Sequence, residues 1–263
     1  MGAPLLRAAN LDFAYHDGFS LKDINLSLEK GDLVALIGPN GAGKTTLLKL
    51  LSHLLRPRRG QIKLAERDLE SFSRRELARY LAVVPQGLVV PFSFTAWEMA
   101  MMGRTPYARP FFTNGAEDER VVREKMEMTN TLSLAQRLYG ELSGGEQQRV
   151  IIAMALAQEP QILLIDEPIV HLDINHQIEI LELIKRLNRD STLTVLATMH
   201  DLNLAALYFD RLILLDEGCI VAEGSPDQVL IKETIEEVFR ARVEIQSHPT
   251  RRVPHIILLP PGS

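Results

Sequence analysis

A glycine-rich segment that ends in a lysine and a threonine is the first part of the chain whose residue types could do chemistry. It reads Gly38-Pro-Asn-Gly-Ala-Gly43-Lys44-Thr45 and has the spacing G-x-x-x-x-G-K-[ST]. Glycines let the backbone turn its N–H groups toward phosphate oxygens, the lysine lies against the β- and γ-phosphates, and the hydroxyl binds Mg²⁺. The segment is therefore predicted to bind a nucleoside triphosphate. Its glycine order does not fit G-x-G-x-x-G, which disfavours a dinucleotide site.

Two further apolar runs end in polar residues. Ile162–Ile165 is followed by Asp166 and Glu167, and Leu193–Met199 is followed by His200. Ligand-binding groups of open α/β sheets gather at the carboxyl ends of strands. We therefore expect Asp166 to hold Mg²⁺, directly or through water, and Glu167 to act as general base for the attacking water. We expect His200 to hydrogen-bond the γ-phosphate and the water, and Asp201 after it to cap a helix. The alternatives are helix-capping acids at a strand exit and a structural histidine.

A sheet is needed to position these residues. Apolar runs of strand length lie at Leu33–Ile37, Leu81–Val84, Ile162–Ile165 and Leu193–Thr198. Helical patterns follow at Gly43–Ser52 and Ile174–Leu187. In the second pattern, Ile174, Ile178, Leu181 and Ile184 recur at helical spacing. This alternation predicts an α/β fold with a mostly parallel sheet.

The remaining patterns predict two additions to this core. Leu5–Leu28 has alternating or mixed apolar residues, which indicates an antiparallel β subdomain beside the main sheet. From about residue 88 to 145 the pattern is mostly helical, and Thr95-Ala-Trp-Glu98 has the form of a capping box. We expect an inserted helical subdomain there. The predicted organisation is one domain over residues 1–240, with 241–263 as a short C-terminal extension of the same domain.

Composition excludes several classes of protein. The 263 residues include 29 Lys and Arg against 34 Asp and Glu, a net charge of −5, and the single cysteine Cys219. One cysteine cannot form an internal disulfide, so the composition gives no sign of a secreted, cross-linked scaffold, and a cytosolic location is expected. The uncharged stretch Tyr80–Trp97 approaches membrane-spanning length, but Pro85, Gly87 and Pro91 interrupt it, which favours a short buried strand followed by a loop.

A second motif points to a family. It reads Leu142-Ser143-Gly144-Gly145-Glu146-Gln147-Gln148-Arg149. With the phosphate loop, Gln86 and the Asp166-Glu167 pair in this order, the chain closely resembles the ATPase subunit of an ABC transporter over about residues 5 to 240. The resemblance implies a P-loop NTPase core of ABC type, with ATP and Mg²⁺ as ligands.

The same resemblance implies a head-to-tail dimer with a second copy of the chain. Each of two ATP molecules then lies between the phosphate loop of one chain and Ser143–Gly145 of the other. Ser143 and Glu146 also have the spacing of a capping box for the helix that follows, and both roles are compatible.

Roles for individual residues follow from the resemblance. Tyr15 is expected to stack on adenine, with strand packing beside Phe13 as the alternative. Gln86 is expected to contact Mg²⁺ and water and to link them to the helical insertion; a buried loop glutamine is the alternative. Asp173 matches the aspartate of a loop that reaches across the dimer.

The segment before Asp173 departs from the family pattern. Ile169, Val170 and His171 stand where the family commonly has Thr, Ser and Ala. The serine hydroxyl usual there is missing, and packing and a functional role are both open for His171.

The complete set of expected site residues falls into three groups. The nucleotide-binding residues are Tyr15, Gly38, Pro39, Asn40, Gly41, Ala42, Gly43, Lys44, Thr45, Thr46, Ser143, Gly144, Gly145, Glu146 and Asp173. The catalytic residues are Gln86, Glu167 and His200. The metal ligands are Thr45, Gln86 and Asp166.

Three segments resemble one group of ABC transporters, the importers of iron-siderophore, haem and vitamin B12 type. They are Met102–Tyr107, Leu172–Gln177 and His200–Ala206. This resemblance implies an ATPase that energises such an importer from the cytoplasmic face of the membrane, where it is attached through a permease. The permease is expected to dock near Gly87–Thr105, at exposed apolar residues such as Phe92, Phe94 and Met101. A periplasmic or extracellular solute-binding protein is an indirect partner.

Two alternatives to an importer stay open at this point. One is a soluble ABC ATPase without a permease, acting on nucleic acid or in cluster assembly. The other is the ATPase of an exporter. The net negative charge, the single cassette and the importer-like insertion disfavour the first alternative, and no nucleic-acid partner is expected.

Overall fold

The computed structural model describes residues 3–15, 18–88, 90, 93–108 and 115–260. In chain order, the strands are β1 (Leu6–Ala14), β2 (Ser20–Leu28), β3 (Leu33–Ile37), β4 (Arg59–Leu64), β5 (Arg67–Asp68), β6 (Leu81–Val84), β7 (Ile162–Ile165), β8 (Thr194–Thr198), β9 (Arg211–Asp216), β10 (Cys219–Gly224), β11 (Val243–Ser247) and β12 (Pro254–Leu258). The α-helices are α1 (Lys44–Leu51), α2 (Arg74–Leu77), α3 (Ala96–Met101), α4 (Ala116–Met128), α5 (Gly144–Ala157), α6 (Ile174–Ser191), α7 (Leu202–Tyr208), α8 (Pro226–Val229) and α9 (Lys232–Phe239). Short 3₁₀ segments lie at Leu69–Ser71, Met102–Tyr107, Leu132–Leu134 and Tyr139–Glu141.

The chain divides into two compact units, and the first comprises Met1–Ser71 with Thr194–Ser263. Its antiparallel sheet has the strand order β2-β1-β4-β5. Much of β1 alternates between buried and more exposed residues, as expected for a sheet with one covered face. This sheet is the antiparallel subdomain that the N-terminal pattern predicts.

Parallel strands form the centre of the first unit. Strand β3 pairs in parallel with β8 on one side and with β9 on the other, and β10 is antiparallel to β9. All residues of β3 and β8 are buried, as expected for strands covered on both faces. Since Leu36 lies opposite Thr198, the carboxyl ends of β3 and β8 are neighbours.

The C-terminal hairpin belongs to the same unit. Strands β11 and β12 pair in register, and Asn203 of α7 hydrogen-bonds the backbone of Ile256 in both directions, at 3.1 Å to its oxygen and 2.7 Å from its nitrogen. These bonds attach the segment after residue 240 to the unit that contains the phosphate loop.

The second unit comprises Phe72–Leu193. Strands β6 and β7 are parallel, with Val84 opposite Ile165. Helix α5 is the centre of the helical part, because both α3 and α4 pack on it. Its residues Val150–Ala153 and Ala155–Ala157 are buried. In the described part of the chain, none of the helices combines the length and the apolar content that crossing a membrane requires.

The predicted fold class is confirmed: the protein has an α/β fold with a mostly parallel central sheet, an antiparallel β subdomain and a helical part. The predicted strands match β3, β6, β7 and β8 to within one residue. The bounds of the domain (1–240), the insertion (88–145) and the extension (241–263) stay predictions.

The helix predicted at Ile174–Leu187 is confirmed as α6. Ile174 and Ile178 are exposed, whereas Ile180, Ile184 and Leu187 are buried. Leu181 and Ile184 of the same spaced set are buried, and Ile174 lies only about 20° around the helix from Leu181. The spacing therefore marks a helix whose burial begins after its first two turns.

A buried ion-pair cluster fixes the 3₁₀ segment Met102–Tyr107 within the second unit. The Arg104 side chain is 5% exposed; its Nε donates to Asp118 at 2.8 Å, and its Nη1 donates to Glu159 and to the Ala157 carbonyl, both at 2.7 Å. The guanidinium also lies 3.8 Å from the centre of the Tyr107 ring. The segment is thereby attached to α4 and to the C-terminal end of α5.

Arg104→Ala is expected to lower the free energy of unfolding by about 2–3 kcal/mol, because it leaves two carboxylates without their partner; the half-exposed Glu159 keeps the cost below that of a fully buried pair. Urea denaturation of the full chain measures it. The matched control is Arg120→Ala, which removes an exposed arginine paired with Glu117 on α4. Equal stability of both variants would contradict the role of the cluster.

Candidate functional site

The phosphate loop connects β3 to α1, and its first glycine packs against the backbone of β9. Gly38 has a φ of 146°, and a Cβ there would lie 2.0 Å from the Leu215 carbonyl oxygen, so only glycine fits. The Lys44 side chain is buried, and its ammonium donates to the carbonyls of Gly38 and Pro39 at 2.8 and 3.0 Å. The lysine is thus held within the loop, between Pro39 and its own helix.

Helix α1 begins differently from the other helices near the expected site. Its N-cap is Gly43, which has a left-handed backbone and no side chain to accept from the first-turn N–H groups. Helices α5, α6 and α7 each begin at a residue whose side chain does this: Ser143, Asp173 and Asp201. Backbone donors at the N-terminus of a helix favour bound phosphate.

Tyr15 directly follows β1, where it is partly exposed. Its ring meets the Phe13 ring edge-on at 4.8 Å between centroids and lies 6.4 Å from Phe19. A Cβ on Gly43 would lie 2.7 Å from Phe19 Cζ, so Phe19 packs directly on the phosphate loop. Phe19 therefore connects Tyr15 to the loop. Sequence reasoning missed it, although an aromatic residue soon after Tyr15 was the available signal.

His200 follows β8 on the same sheet edge as the phosphate loop. Strand pairing continues beyond β8, because Met199 donates its N–H to the Leu36 carbonyl at 3.0 Å. His200 is exposed, and the predicted cap at Asp201 is confirmed by its bond to the Leu204 N–H at 2.9 Å. Within the first unit, the structure thus brings His200 and the loop to adjacent strand ends.

Gln86 and the acidic pair lie at the ends of β6 and β7 in the second unit. The Asp166 N–H donates to the Val84 carbonyl at 2.9 Å, and the Asp166 carboxyl is buried. Gln86 Nε2 donates to Glu167 Oε2 at 2.5 Å. Glu167 has a φ of 52°, a conformation that costs energy for a residue other than glycine and is typical of functional sites. The structure therefore joins the two expected catalytic residues of this unit.

The Ser143-Gly144-Gly145-Glu146 motif opens α5 with the predicted capping box. The Ser143 N–H donates to Glu146 Oε2 at 2.8 Å, and the Glu146 N–H donates to Ser143 Oγ at 3.4 Å. The first of these bonds is the main reason that the pKa of the Glu146 carboxyl lies below its usual value. Ser143 and Gly144 are exposed, and Gly145 is buried. The motif therefore presents a capped helix N-terminus to solvent.

Asp173 caps α6 and is exposed. Its Oδ1 accepts the His176 N–H at 3.0 Å, and its Oδ2 lies 2.8 Å from His176 Nδ1. The backbone bond, followed by the side-chain bond, lowers the pKa of the Asp173 carboxyl. In the preceding segment Ile169 is buried, and His171 is exposed with a φ of 64°.

A groove of about 420 Å³ lies in the predicted docking region. Its lining includes Phe94, Trp97, Glu98, Met101, Met102 and Glu119. Phe94 and Met101 are half-buried, with part of each side chain accessible. Phe92, together with residues 89 and 91 of the predicted docking stretch, lies outside the described residues.

The oxygen donors expected to hold Mg²⁺ are of the right chemical class. The Thr45 hydroxyl, the Gln86 amide and the Asp166 carboxylate are hard ligands, which Mg²⁺ prefers. Thr45 belongs to the first unit, and Gln86 and Asp166 belong to the second. The roles of these three residues as metal ligands stay predictions.

Known proteins are similar to this chain over the segments that carry these motifs. A family profile described as ABC transporter matches residues 21–170. The ferric enterobactin transport ATP-binding protein FepC of Escherichia coli is 39% identical over 97% of this chain and 94% of its own length. The hemin import ATP-binding protein HmuV of Gloeobacter violaceus is 40% identical over 97% and 94%. The chain spans 58% of the length of YvrA, an uncharacterized ABC transporter ATP-binding protein of Bacillus subtilis, at 39% identity over 97% of this chain.

Two solved structures extend the comparison. A putative metal-chelate type ABC transporter in an inward-facing conformation has a TM-score of 0.87 and 28% identity, covering 98% of this chain and 99% of its own. The ATP-binding cassette MJ0796, in a dimeric post-hydrolysis state bound to ADP and Pi, has a TM-score of 0.71 and 29% identity, covering 84% and 98%.

Lys44→Ala is expected to abolish ATP hydrolysis and to weaken MgATP binding by about tenfold or more, because the β- and γ-phosphates lose their fixed cation. Phosphate release and binding of a fluorescent ATP analogue measure the two effects. Lys49→Ala, which removes an exposed lysine from the same helix, is the matched control. Turnover of Lys44→Ala at the wild-type rate would contradict the assignment of the loop.

Proposed function

The chain belongs to the ABC transporter family of ATP-binding subunits, and we propose that it hydrolyses ATP to energise an importer of iron-siderophore, haem or cobalamin-type metal chelates. The observation that carries the proposal is similarity over nearly the whole chain to relatives named for import of ferric enterobactin and hemin. The resembling segments Met102–Tyr107, Leu172–Gln177 and His200–Ala206 favour the same group.

The proposal divides ATP binding among the residues of the first unit. The phosphate loop from Gly38 to Thr46 surrounds the phosphates with backbone N–H groups, and Lys44 neutralises charge on the β- and γ-phosphates. Tyr15 stacks on the adenine, backed by Phe13 and Phe19. His200 hydrogen-bonds the γ-phosphate from the end of β8.

Hydrolysis is assigned to residues of the second unit. Glu167 accepts a proton from a water molecule while the water oxygen attacks the γ-phosphorus. The bond between the γ-phosphorus and the β–γ bridging oxygen breaks, which leaves ADP. Gln86, hydrogen-bonded to Glu167, orients this carboxylate and the water. Mg²⁺, held by Thr45, Gln86 and Asp166, would neutralise negative charge on the phosphates.

A second copy of the chain is the proposed partner at the nucleotide. Ser143–Gly145 at the start of α5 would bind the γ-phosphate of the ATP held by the other copy, and Asp173 would reach across the dimer. The exposure of Ser143, Gly144 and Asp173 supports this, because all three are available to a partner. ATP bound in this way stabilises the dimer, and its hydrolysis releases it.

A permease is the proposed second partner, and it would hold the subunit at the cytoplasmic face of the membrane. The groove beside α3 supports this, because Phe94, Trp97 and Met101 give it an accessible apolar lining. A short cytoplasmic segment of the permease would occupy it. The solute-binding protein would then act on this subunit only through the permease.

Glu167→Gln is expected to bind MgATP and to hydrolyse it at least about a hundredfold more slowly, because only the general base is removed. The protein should then accumulate as an ATP-bound dimer, which size-exclusion chromatography with light scattering detects. The control is Glu182→Gln, which changes an exposed carboxylate on α6 away from the expected site. A Glu167→Gln variant that stays monomeric with MgATP would contradict the shared-site dimer.

Phe94→Asp and Met101→Asp are each expected to reduce coupled transport much more than the ATPase activity of the isolated subunit, because a charge in the groove opposes docking of the permease. Metal-chelate uptake into vesicles containing the full complex is compared with phosphate release by the subunit alone. Leu54→Asp, at an exposed leucine outside the groove, is the control. Equal losses in both assays would place the two residues in the core, and outward transport would identify an exporter.

A further inference from the structure

The imidazole of His176 lies directly on the backbone of the second residue of α5. A Cβ added to Gly145 would lie 2.4 Å from His176 Cδ2 and 2.8 Å from its Cγ. Real Cβ atoms do not approach other atoms this closely, so the histidine ring occupies the space that a side chain at position 145 would take. Gly145 is buried, and the His176 side chain is 34% exposed. The contact therefore covers one side of the Ser143–Gly145 turn.

The same imidazole holds Asp173. One carboxylate oxygen accepts the His176 backbone N–H at 3.0 Å, and the other lies 2.8 Å from Nδ1. Both oxygens of Asp173 are thus bound by a single residue. One side chain therefore joins the loop before α6 to the first turn of α5.

Two neighbouring contacts connect the same helices without involving the Asp173 carboxylate. A Cβ on Gly144 would lie 3.2 Å from Leu172 Cδ2, and Arg149 Nη1 donates to Glu179 Oε2 at 2.7 Å, about one turn farther along both helices. These contacts pack α5 against α6 and the residue before its cap. Unlike them, the contact of His176 also includes Asp173, whose side chain is proposed to face the second copy.

We propose that His176 is a positioning residue that makes Asp173 and the Ser143–Gly145 turn move as one body. This inference rests on the proposed function, in which both segments meet the second copy around ATP. Binding of the γ-phosphate at the turn then sets the position of Asp173 as well. His176 thereby provides a connection between the two ATP sites of the dimer that does not use a hydroxyl at Ile169–His171.

Three variants separate the two contacts of the imidazole, which are its bond to Asp173 and its packing on Gly145. His176→Ala removes both contacts. His176→Asn keeps a donor near the position of Nδ1 but loses the ring over Gly145. His176→Phe keeps a ring, but its side chain cannot donate to Asp173. Glu179→Gln is the matched control, because it weakens the contact of α5 with α6 and leaves Asp173 untouched.

Hydrogen exchange of the full chain without nucleotide tests the link itself. His176→Ala should exchange faster both at the start of α5, residues 143–148, and at residues 173–177. His176→Phe should restore protection mainly at the start of α5, and His176→Asn mainly at residues 173–177. Unchanged exchange at the start of α5 in His176→Ala would overturn the proposal, whatever the activity of the protein.

The dimer provides the functional readout. In a Glu167→Gln background with MgATP, His176→Ala should weaken dimerisation by about tenfold, the loss of one charge-assisted hydrogen bond and its packing. In the otherwise wild-type chain it should lower the Hill coefficient for ATP, with unchanged melting temperature and unchanged affinity of the monomer for an ATP analogue. An equal effect of Glu179→Gln would show that helix packing alone is responsible and would overturn the proposal. Failure of Glu167→Gln itself to dimerise would instead refute the proposed function, while hydrogen exchange would still decide the link.

Discussion

Parallel pairing of strands is the constraint on which the rest of the structure depends. Neighbouring parallel strands end at the same edge of a sheet, so the residues after them are brought close together however far apart they are in sequence. Pairing of β3 with β8 places His200 beside the phosphate loop, about 160 residues away along the chain. Pairing of β6 with β7 places Gln86 within hydrogen-bond distance of Glu167. The strands pair because their apolar residues are buried together, and this pairing brings the polar residues at their ends close to one another.

The helices near the expected site differ in how their N-termini are capped. Helix α1 begins at Gly43, which has no side chain to accept from the first-turn N–H groups. Helices α5 and α6 begin at Ser143 and Asp173, whose side chains already accept from their own helices. A capped N-terminus keeps a defined shape without ligand, so it can present a surface to a second molecule. The contrast matches the proposed roles, in which α1 holds ATP and the other two helices meet the ATP of a second copy.

Motif spacing predicted the phosphate loop, the capping boxes at Thr95 and Ser143 and the cap at Asp201, because each depends on contacts within a few residues. Local spacing also predicted helix α6. It did not show that Ile174 and Ile178 are exposed, because burial depends on what packs against the helix. Phe19 and His176 were also missed, because their contacts with Gly43 and Gly145 come from other elements. The roles of the individual site residues stay predictions, since the local motifs state which chemistry is possible and not where the ligand lies.

The sequence by itself determined the class of fold, the phosphate loop and the resemblance to ABC ATPases. Each of these depends on residue types at short, fixed spacings. Such spacings predict structure because local backbone geometry and strand burial restrict which residues fit. Only the tertiary structure decided that Gln86 bonds Glu167, that a groove lies beside Phe94 and Met101, and that His176 joins Asp173 to Gly145. Such contacts depend on the packing of whole helices and strands to within about an ångström, and the spacing of residues along one segment does not contain that information.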